Sequence, residues 1–551
     1  MRLRENATEQ KLAGRYYTPI DLANFIVRWG MDGTVNTILE PSCGDGVFLE
    51  ALRQYDGDFE CLGIEISSEE AALASERLLL DERFNILVSD FYKYYNGNHN
   101  REKKYDFVVG NPPYIRYQYL TEEQRDIQSN LLIENQMKSN KLINAWVAFT
   151  TAAVSLLKNN SKIAFVIPAE LFQVKYAEQL RSYLMQNLNE ITILTFDELI
   201  FEGIDQEVVV LLGRKNTDFV GTHQMKILEF VNINDLNQNF DERNDQQGFQ
   251  DIDTTNVKWT KYFLNPHENN VISLLRESES CISFGDIAQV DVGITTGNNS
   301  YFCVDKETAT SYDLLTISRP LIARSVNIPG VTFEETDWQW NVEQGAKTFL
   351  LDFNQLTDTQ LTERQRSYIE IGEQNEENTG YKCRIRERWY AIPSIWEPDA
   401  FFLRRNYQYP KFVLNNYHAV STDTMHRVSF LVGTDRKKAI ISYYNSIAFA
   451  FTELEARSYG GGVLEILPRE LENVTIPNIN DLVIEEEIVD ELFDSLNTAI
   501  RENNDIEEVL DLIDRTLLVG RLNMSADVVS QCRKIWHKLK NRRINRGITG
   551  N

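Results

Sequence analysis

The feature of the sequence that most constrains its fold is a regular alternation of short apolar runs with helix-period segments, from residue 18 to about residue 213. Val, Ile and Leu dominate the apolar runs, which span residues 37–39, 61–66, 85–88, 105–109, 162–167 and 208–212. Strands that alternate with helices in this way form largely parallel sheets whose two faces are both covered by helices. The sequence therefore predicts the α/β fold class, with a doubly wound sheet.

The first helix of this region has recognisable ends. Thr18 is expected to cap the helix, Pro19 is expected to be its first residue, and Gly30 is expected to stop it. Leu22 and Phe25 lie between them at helical spacing. The alternation therefore begins with a helix that precedes the first strand.

The rest of the chain divides by composition into three parts that follow a first domain of residues 1–215. Residues 216–284 are polar and rich in Asn, Asp and Gln, which predicts a linker with some irregular structure. Residues 285–475 carry many aromatic side chains and short strand-like runs without the β–α alternation, so we expect a separate mixed α+β domain. Residues 476–551 have helical patterns and end in a basic tail, which predicts a helical region.

Composition excludes several classes of protein. A chain of 551 residues with 42% hydrophobic content can form two or three domains with large cores. It has no apolar run of the roughly 18 residues that a membrane helix needs, and no secretory signal is recognisable at its start, so we expect no membrane association. The six cysteines are scattered and the histidines show no ligand spacing. We therefore expect no disulfide scaffold, no metal site and a cytoplasmic location.

A glycine turn follows the first predicted strand. The strand ends at Glu40, and the turn contains Ser42, Gly44 and Gly46 before the next helix begins. Glycines allow positive φ and a close approach of the backbone to a ligand, and open α/β sheets bind ligands at the carboxyl ends of their strands. Glu65 ends the next strand about 20 residues further on, where an acid can bind both hydroxyls of a ribose. The pattern indicates a nucleoside cofactor, with an unliganded tight turn as the alternative.

A second motif, Asn111-Pro112-Pro113-Tyr114, follows the predicted strand that ends at Val109. The two prolines stiffen the backbone and remove two N–H donors, so the loop presents carbonyl oxygens. The Asn111 amide oxygen and the Pro112 carbonyl can both accept hydrogen bonds from one NH₂ group, and Tyr114 offers a flat face to a planar ring. A rigid structural turn is the alternative interpretation.

Together, the two motifs resemble those of S-adenosylmethionine-dependent amino methyltransferases that act on adenine N6 in DNA, whose sheet is Rossmann-like. The resemblance implies that Asn111 and Pro112 accept hydrogen bonds from the adenine amine, with Pro113 and Tyr114 completing the catalytic loop. It also implies that the target base is flipped out of the duplex. The order of the motifs is similar to the gamma arrangement of this family.

Further residues match the same family, and the resemblance implies their roles. Tyr16 and Thr18 belong to a segment that resembles the amino-terminal motif, which closes over the methionine part of the cofactor. Asp90 stands where the family has an acid for the adenine amino group of the cofactor, and Phe91 where it has an aromatic residue beside the ring. Phe201 stands where the family has an aromatic residue that contacts the flipped base. The implied cofactor-binding set is completed by Glu40, Ser42, Gly44, Gly46, Glu65 and Asn111.

Two segments of the later domain look like parts of the target-recognition domains of restriction–modification methyltransferases. They are residues 292–299 and residues 458–462. The resemblance implies that residues 285–475 read the sequence of double-stranded DNA, and that a cognate restriction endonuclease is a possible partner. No nuclease pattern is evident in the chain, so we expect that nuclease to be a separate protein. We also expect the methyltransferase to be a monomer.

A local reversal of charge lies within the predicted recognition domain. Arg384, Arg386 and Arg388 alternate with other residues, and alternation places side chains on one face of a strand. In a chain of net charge −26, this stretch is predicted to contact the DNA duplex, with a solvated strand face as the alternative. For the basic tail at the end of the chain, contact with phosphates and a solvated helix face are equally open alternatives.

Two other functions remain open at this point. Methyltransferases that act on RNA or on a protein glutamine share the catalytic loop, although they are usually much smaller and would leave residues 285–475 without a purpose. A nonenzymatic protein that keeps the fold is the third possibility, and the intact Glu40, Glu65 and Asp90 argue against it. We therefore expect a sequence-specific DNA adenine-N6 methyltransferase.

Overall fold

The computed structural model describes residues 17–97, 101–172, 174–201, 207–252 and 258–548. The chain forms two compact units, which meet in sequence between Pro266 and His267, and the residues from Asn545 onwards belong to the first unit. The first domain was expected to end at residue 215, whereas the first compact unit extends to Pro266. The boundary lies some 50 residues later along the chain.

The first unit is built on a nine-stranded sheet. Its spatial order is β3-β2-β1-β4-β5-β7-β6-β8-β9. The strands are β1 (Thr37–Glu40), β2 (Glu60–Glu65), β3 (Phe84–Val88), β4 (Tyr105–Gly110), β5 (Leu157–Pro168), β6 (Glu190–Phe196), β7 (Val208–Lys215), β8 (Gln224–Phe230) and β9 (Gln250–Asp251). The helices between them are α1 (Ile20–Gly30), α2 (Val47–Arg53), α3 (Ser68–Leu78), α4 (Phe91–Asn96), α5 (Glu122–Glu134), α6 (Ala145–Ser155), α7 (Glu178–Asn187) and α8 (Ile233–Gln246).

The strands β1 to β5 are parallel, and β7 runs antiparallel between β5 and β6. The register places Leu39 of β1 between Leu62 and Val108 of its two neighbours. The central strands β4, β5 and β7 are buried over most of their length, as expected for strands covered on both faces. The predicted doubly wound, Rossmann-like sheet is therefore confirmed.

Residues 216–284 were expected to form an irregular linker, and this expectation is wrong. β8 pairs in parallel with β6 along its whole length, and α8 follows it directly. In α8, Leu236 is the buried residue and the other side chains are partly or fully exposed. The Asn- and Asp-rich composition is therefore that of a solvated helix face.

The predicted helix cap at Thr18 is also wrong. The helix α1 begins at Ile20 after Pro19, and no side chain caps its first turn. Thr18 is instead buried, and its hydroxyl oxygen accepts a hydrogen bond from another part of the first unit. The cap rule failed because a tertiary partner is available to the same hydroxyl.

The second unit contains several small sheets together with helices, which agrees with the expected mixed α+β class. They have the orders β11-β20-β16-β18-β14, β12-β15-β13-β19, β17-β22-β21 and β10-β23. The strands are β10 (Cys281–Ser283), β11 (Ala288–Val292), β12 (Cys303–Val304), β13 (Ser318–Ile322), β14 (Thr332–Phe333), β15 (Phe349–Leu351), β16 (Ala400–Leu403), β17 (Arg405–Asn406), β18 (Phe412–Asn415), β19 (Val420–Ser421), β20 (Met425–Phe430), β21 (Arg457–Tyr459), β22 (Val463–Glu465) and β23 (Thr475–Pro477).

The helices of this unit begin with one that starts at the boundary between the two units. They are α9 (Pro266–Arg276), α10 (Asn299–Phe302), α11 (Lys306–Ser311), α12 (Glu335–Glu343), α13 (Glu363–Gln374), α14 (Tyr381–Arg384), α15 (Arg436–Ile441), α16 (Ser446–Glu455), α17 (Pro468–Glu472), α18 (Glu486–Arg501), α19 (Ile506–Ile513) and α20 (Ala526–Ile548). A π-helical turn at Asp514–Val519 extends α19. The helices predicted after residue 476 are present, and up to Ile544 they belong to the same compact unit as the small sheets.

The basic tail is largely neutralised by internal ion pairs. The Arg543 side chain is 2% exposed and pairs with Glu453 at 2.7 Å. Arg533 pairs with Asp514 at 2.9 Å and with Glu507 at 2.5 Å. These contacts favour the interpretation of the tail as a packed helix over that of a phosphate-binding face.

Two further observations bear on the expected class of protein. No helix among the described residues is long and apolar enough to cross a membrane. All six cysteines lie in the described part of the chain, and each is a buried free thiol.

Candidate active site

Three neighbouring parallel strands bring acidic residues to one edge of the sheet. β1 ends at Glu40, β2 ends at Glu65, and Asp90 follows β3. β4 ends at the same edge and is followed by Asn111. All four residues line one cavity of about 260 Å³, as do Tyr17, Thr18, Ser42, Gly44, Ile66, Phe91, Pro113, Ala145 and Phe149. The two sequence motifs are therefore brought together.

The two glycines of the turn have different roles. Both have positive φ, +52° at Gly44 and +86° at Gly46. A Cβ atom added to Gly44 would meet nothing within 4 Å, so this backbone is open to the cavity. A Cβ atom on Gly46 would lie 2.9 Å from the Cβ of Ala74 in α3, and Gly46 does not line the cavity. Gly46 is therefore required for helix packing in this structure, whereas it had been expected to contact the cofactor.

The Glu65 carboxylate is held by two backbone amides. Gly44 N–H donates to its Oε2 at 3.0 Å, and Ser67 N–H donates to its Oε1 at 2.9 Å. Each carboxylate oxygen has capacity for further hydrogen bonds, so the group can also accept from two ligand hydroxyls. This arrangement fixes the carboxylate and braces the glycine turn against it.

Glu40 provides a test of whether the cavity suits a cationic ligand. Its side chain is 1% exposed, and its Oε2 accepts no hydrogen bond from the described residues. Burial, followed by the nearby Asp45 and Glu65 carboxylates, raises the pKa of Glu40 well above its usual value. A buried acceptor without a donor is costly, so a ligand that brings a positively charged donor relieves that cost. The residues present therefore fit the ammonium group of S-adenosylmethionine, which is a positively charged donor.

Asp90 and Phe91 stand at the start of α4. The Asp90 Oδ1 accepts hydrogen bonds from the backbone of Tyr92 at 2.7 Å and of Lys93 at 3.3 Å. Neither bond uses Oδ2, which remains available to a ligand amino group. The Phe91 ring is buried against Phe149, with 5.0 Å between the ring centroids. One acid and one aromatic ring therefore lie together in the cavity wall, and their roles toward the cofactor stay predictions.

The sequence did not predict several residues that line the cavity, among them Ile66, Phe149 and Tyr17. Ile66 is 62% exposed, and it directly follows Glu65 at the cavity. Phe149 belongs to α6, and Tyr17 donates from its hydroxyl to Glu70 at 3.0 Å. The position of Ile66 beside a predicted site residue was a usable signal, whereas no local pattern marks Phe149.

The catalytic loop is tied to the glycine turn and to the start of the chain. The Ser42 hydroxyl donates to the Asn111 carbonyl at 3.2 Å. The Asn111 side chain donates from Nδ2 to the Thr18 hydroxyl oxygen, also at 3.2 Å. Asn111 and Pro113 line the cavity, whereas Pro112 is buried and is not among the lining residues. The loop is therefore held at both its backbone and its amide side chain.

The two aromatic residues expected at the target base lie outside the cavity lining. Tyr114 is buried, and its hydroxyl donates to the Val166 carbonyl of β5 at 2.9 Å. Phe201 is also buried, in the segment that follows β6. Tyr16, which was expected beside the cofactor, lies outside the described residues. The roles of all three residues stay predictions.

The strand predicted for the basic segment is absent, and this prediction is wrong. Residues 381–384 form the single turn α14, and turns follow it. Arg386 donates to the Thr295 carbonyl at 3.1 Å, and Arg388 donates to the Leu356 carbonyl at 2.6 Å. Arg384 is exposed. The alternation of arginines predicted a strand with its charges on one face. This failed because two of the three guanidinium groups donate to carbonyls inside the protein.

Among the described residues, no group of three or more His, Cys, Asp and Glu side chains is arranged to hold a metal ion.

Comparisons with known proteins agree with this geometry. The family model of N-6 DNA methylases matches residues 2–298, and that of the carboxyl-terminal domain of the type II methyltransferase M.Eco57I matches residues 256–518. The type II methyltransferase M.AccI of Acinetobacter calcoaceticus is 23% identical over 92% of this chain and 93% of its own length. M.XamI of Xanthomonas campestris pv. amaranthicola is 21% identical over 85% and 86%, and M.HincII of Haemophilus influenzae is 28% identical over 37% and 38%.

The first family model covers more than half of the chain, and its match includes every residue that lines the cavity. The resemblance inferred from the glycine turn and from the Asn-Pro-Pro-Tyr loop is thus confirmed. The chain belongs to the N-6 DNA methylase family, and it is a DNA methyltransferase that uses S-adenosylmethionine as the methyl donor for adenine N6.

Proposed function

We propose that this methyltransferase is the sequence-specific modification enzyme of a restriction–modification system, and that Asn111 and Pro112 activate the target amine. The observation that carries this proposal is the position of the catalytic loop. Asn111 lies at the end of β4, in the wall of the cavity that also contains Glu40 and Glu65. An amine held by this loop is therefore next to the cofactor site.

The chemistry requires acceptors more than it requires a base. The lone pair of adenine N6 is delocalised into the ring, which makes the amine a poor nucleophile. Hydrogen bonds from the amine to the Asn111 Oδ1 and to the Pro112 carbonyl favour a tetrahedral nitrogen and stabilise the positive charge that develops on it. The bound S-adenosylmethionine supplies an electrophilic methyl group, and the loop supplies the proximity.

Thr18 positions the acceptor in this scheme. Because Nδ2 of Asn111 donates to the Thr18 hydroxyl, the amide is turned so that its Oδ1 can accept from the substrate amine. The Ser42 hydroxyl holds the Asn111 backbone at the same time. If the Asn111 amide were turned the other way, its Nδ2 donor would face the donor N–H groups of the substrate amine, and no hydrogen bond would form.

The cofactor residues divide by the chemistry of their side chains. Glu65, already fixed by two amides, accepts from the ribose hydroxyls. The Asp90 Oδ2 accepts from the adenine amino group, with Phe91 and Ile66 beside the ring. The buried Glu40 carboxyl group stabilises the positive charge of the methionine part. Each of these acids lies at the end of a parallel strand.

The DNA substrate requires more than this cavity. The target base must leave the duplex, which costs a few kcal/mol, and stacking on Tyr114 and Phe201 offsets that cost at roughly 1–3 kcal/mol per aromatic platform. We assign sequence recognition to the second unit, which contains residues 285–475. We also propose the gamma arrangement, a monomeric enzyme, and a cognate nuclease encoded as a separate chain.

Transfer of tritium from labelled S-adenosylmethionine tests the proposal. Duplex DNA, RNA and protein are offered to the wild-type chain, and label is expected on adenine of duplex DNA. Modification-sensitive sequencing of DNA from cells that express the chain should then show one recurrent sequence. Label on RNA or on protein glutamine, or methylation without sequence preference, would overturn the proposal.

A further inference from the structure

We propose that the exposed side of α14 is a DNA-contacting surface, in which Tyr381 and Ile385 make apolar contacts to base steps while Lys382 and Arg384 bind the flanking phosphates. We call these four residues the 381–385 face. The inference rests on the proposed function, because it names how the second unit would engage the duplex. It replaces the arginine-bearing strand predicted from the sequence.

The first observation is the exposure of two large apolar side chains. Tyr381 is 66% exposed and Ile385 is 61% exposed. They are four residues apart on a helical turn closed by the bond from Ile385 N–H to the Tyr381 carbonyl, so they lie on the same side. Cys383, between them in sequence, is fully buried and anchors the turn to the core. Neighbouring exposed apolar side chains of this size mark interaction surfaces more often than isolated ones do.

The second observation is that the turn is held in place by hydrogen bonds of Arg386 and by packing against residues 295–299. The Arg386 guanidinium donates to the Thr295 carbonyl at 3.1 Å and to the Trp389 carbonyl at 3.3 Å. A Cβ atom on Gly297 would lie 2.9 Å from the Cβ of Lys382, so the loop of residues 295–299 lies directly against the turn. Contacts of this kind hold the 381–385 face in one arrangement before any partner arrives. A surface that is already ordered loses less conformational freedom on binding.

The third observation is the charge that accompanies the apolar pair. Lys382 and Arg384 are exposed, and in the described part of the chain neither forms an ion pair. Arg388, by contrast, pairs with Asp358 and donates to the Leu356 carbonyl. Two available cations in a chain of net charge −26 select an anionic partner.

The combination of features favours a duplex over other anionic partners. Apolar side chains that insert between base steps, with cations on the neighbouring phosphates, are a known way for proteins to hold bent DNA. The polar side chains of Thr295 and Asn299 are also exposed, on the loop that braces the turn. They offer hydrogen-bonding groups beside the 381–385 face.

The experiment measures binding of the full-length chain to a labelled duplex that contains its modification sequence, by fluorescence anisotropy over a range of salt concentrations. The double variant Lys382→Gln/Arg384→Gln should bind more weakly and should lower the salt slope by about 0.9 for each lost phosphate contact. The double variant Tyr381→Ala/Ile385→Ala should bind about tenfold more weakly or worse with an unchanged slope, because its losses are not ionic. The two variant classes are therefore distinguished by the slope.

Matched controls come from the same unit. Lys306→Gln removes an exposed cation and Val432→Ala removes an exposed apolar side chain, both away from the 381–385 face in sequence. Both controls should keep the wild-type affinity and slope. Thermal melting of each variant checks that the fold is intact, and cofactor affinity should not change.

Wild-type affinity and slope in both double variants would overturn the inference. It would also be overturned if the apolar variant lost self-association in sedimentation and kept its DNA affinity, since the face would then be a protein interface. The proposed function fails differently, because the wild-type chain would then transfer no label to duplex DNA. The two failures are therefore distinguishable.

Discussion

The replacement Thr18→Val tests the orientation of the catalytic amide. Valine keeps the shape of threonine and removes the hydroxyl that accepts from Asn111 Nδ2 at 3.2 Å. Thr18 is 6% exposed, so water does not readily replace the lost acceptor. Losing the hydrogen bond to Thr18 costs about 1–3 kcal/mol in the productive orientation of the amide.

That free energy predicts the size of the kinetic effect. Each 1.4 kcal/mol is a factor of ten, so the single-turnover rate of methyl transfer should fall by roughly 5- to 150-fold at saturating cofactor and DNA. The matched control is Thr18→Ser, which keeps the hydroxyl and should stay near the wild-type rate. Calorimetric titration gives the cofactor affinity of each variant separately.

The outcome that refutes this reasoning is specific. If Thr18→Val weakens cofactor binding and leaves the single-turnover rate unchanged, Thr18 serves the cofactor and does not position Asn111. A rate loss of equal size in Thr18→Ser would also refute it, because the hydroxyl would then not be the relevant group.

The remaining predictions concern other contacts of the site. Asn111→Ala should abolish methyl transfer and spare cofactor binding, because it removes an acceptor needed mainly in the transition state, and near-wild-type turnover in a tritium assay would contradict this role. Glu65→Ala should raise the cofactor Kd by about 10- to 100-fold in calorimetry, since a carboxylate is removed from two hydroxyls, and unchanged affinity would place the ribose elsewhere. Burial raises the pKa of Glu40, so the ligand-free protein should lose stability as the pH rises from the usual carboxyl pKa through the raised one. Glu40→Gln, which cannot ionise, should escape that loss, so its advantage in Tm should grow with pH, and a constant difference would count against the buried charge. Gly46→Ala should cost about 1–3 kcal/mol of unfolding free energy in urea, because its Cβ atom would overlap Ala74 at a positive φ, and a neutral effect would mean that α3 moves easily.

The sequence predicted best what depends on local pattern. Strands that alternate with helices are readable from periodicity, and acids at strand ends are readable from position, so Glu40, Glu65 and Asp90 were placed together correctly. In a parallel sheet the carboxyl ends of the strands lie at one edge, so acids at strand ends that are far apart in sequence come together there.

What the sequence did not predict depends on tertiary partners. The strand β8 was not predicted because the polar helix α8, which follows it, has the composition of a linker. The arginine segment looked like a strand because the carbonyls that satisfy Arg386 and Arg388 come from residues 295 and 353–356. No local pattern contains information about partners at such separations.

The position of β7 has a consequence for how the first unit folds during synthesis. β7 lies between β5 and β6, although it is made after both of them. β6 therefore cannot join the parallel strands until residues 208–215 have left the ribosome, and until then the apolar edge of β5 has no partner strand. At translation rates of 5–20 residues per second, the interval from the end of β5 to the end of β7 is about 2–10 s. During that interval the unpaired edge of β5 can pair with a wrong strand. The pairing of β7 with β5 ends this exposure.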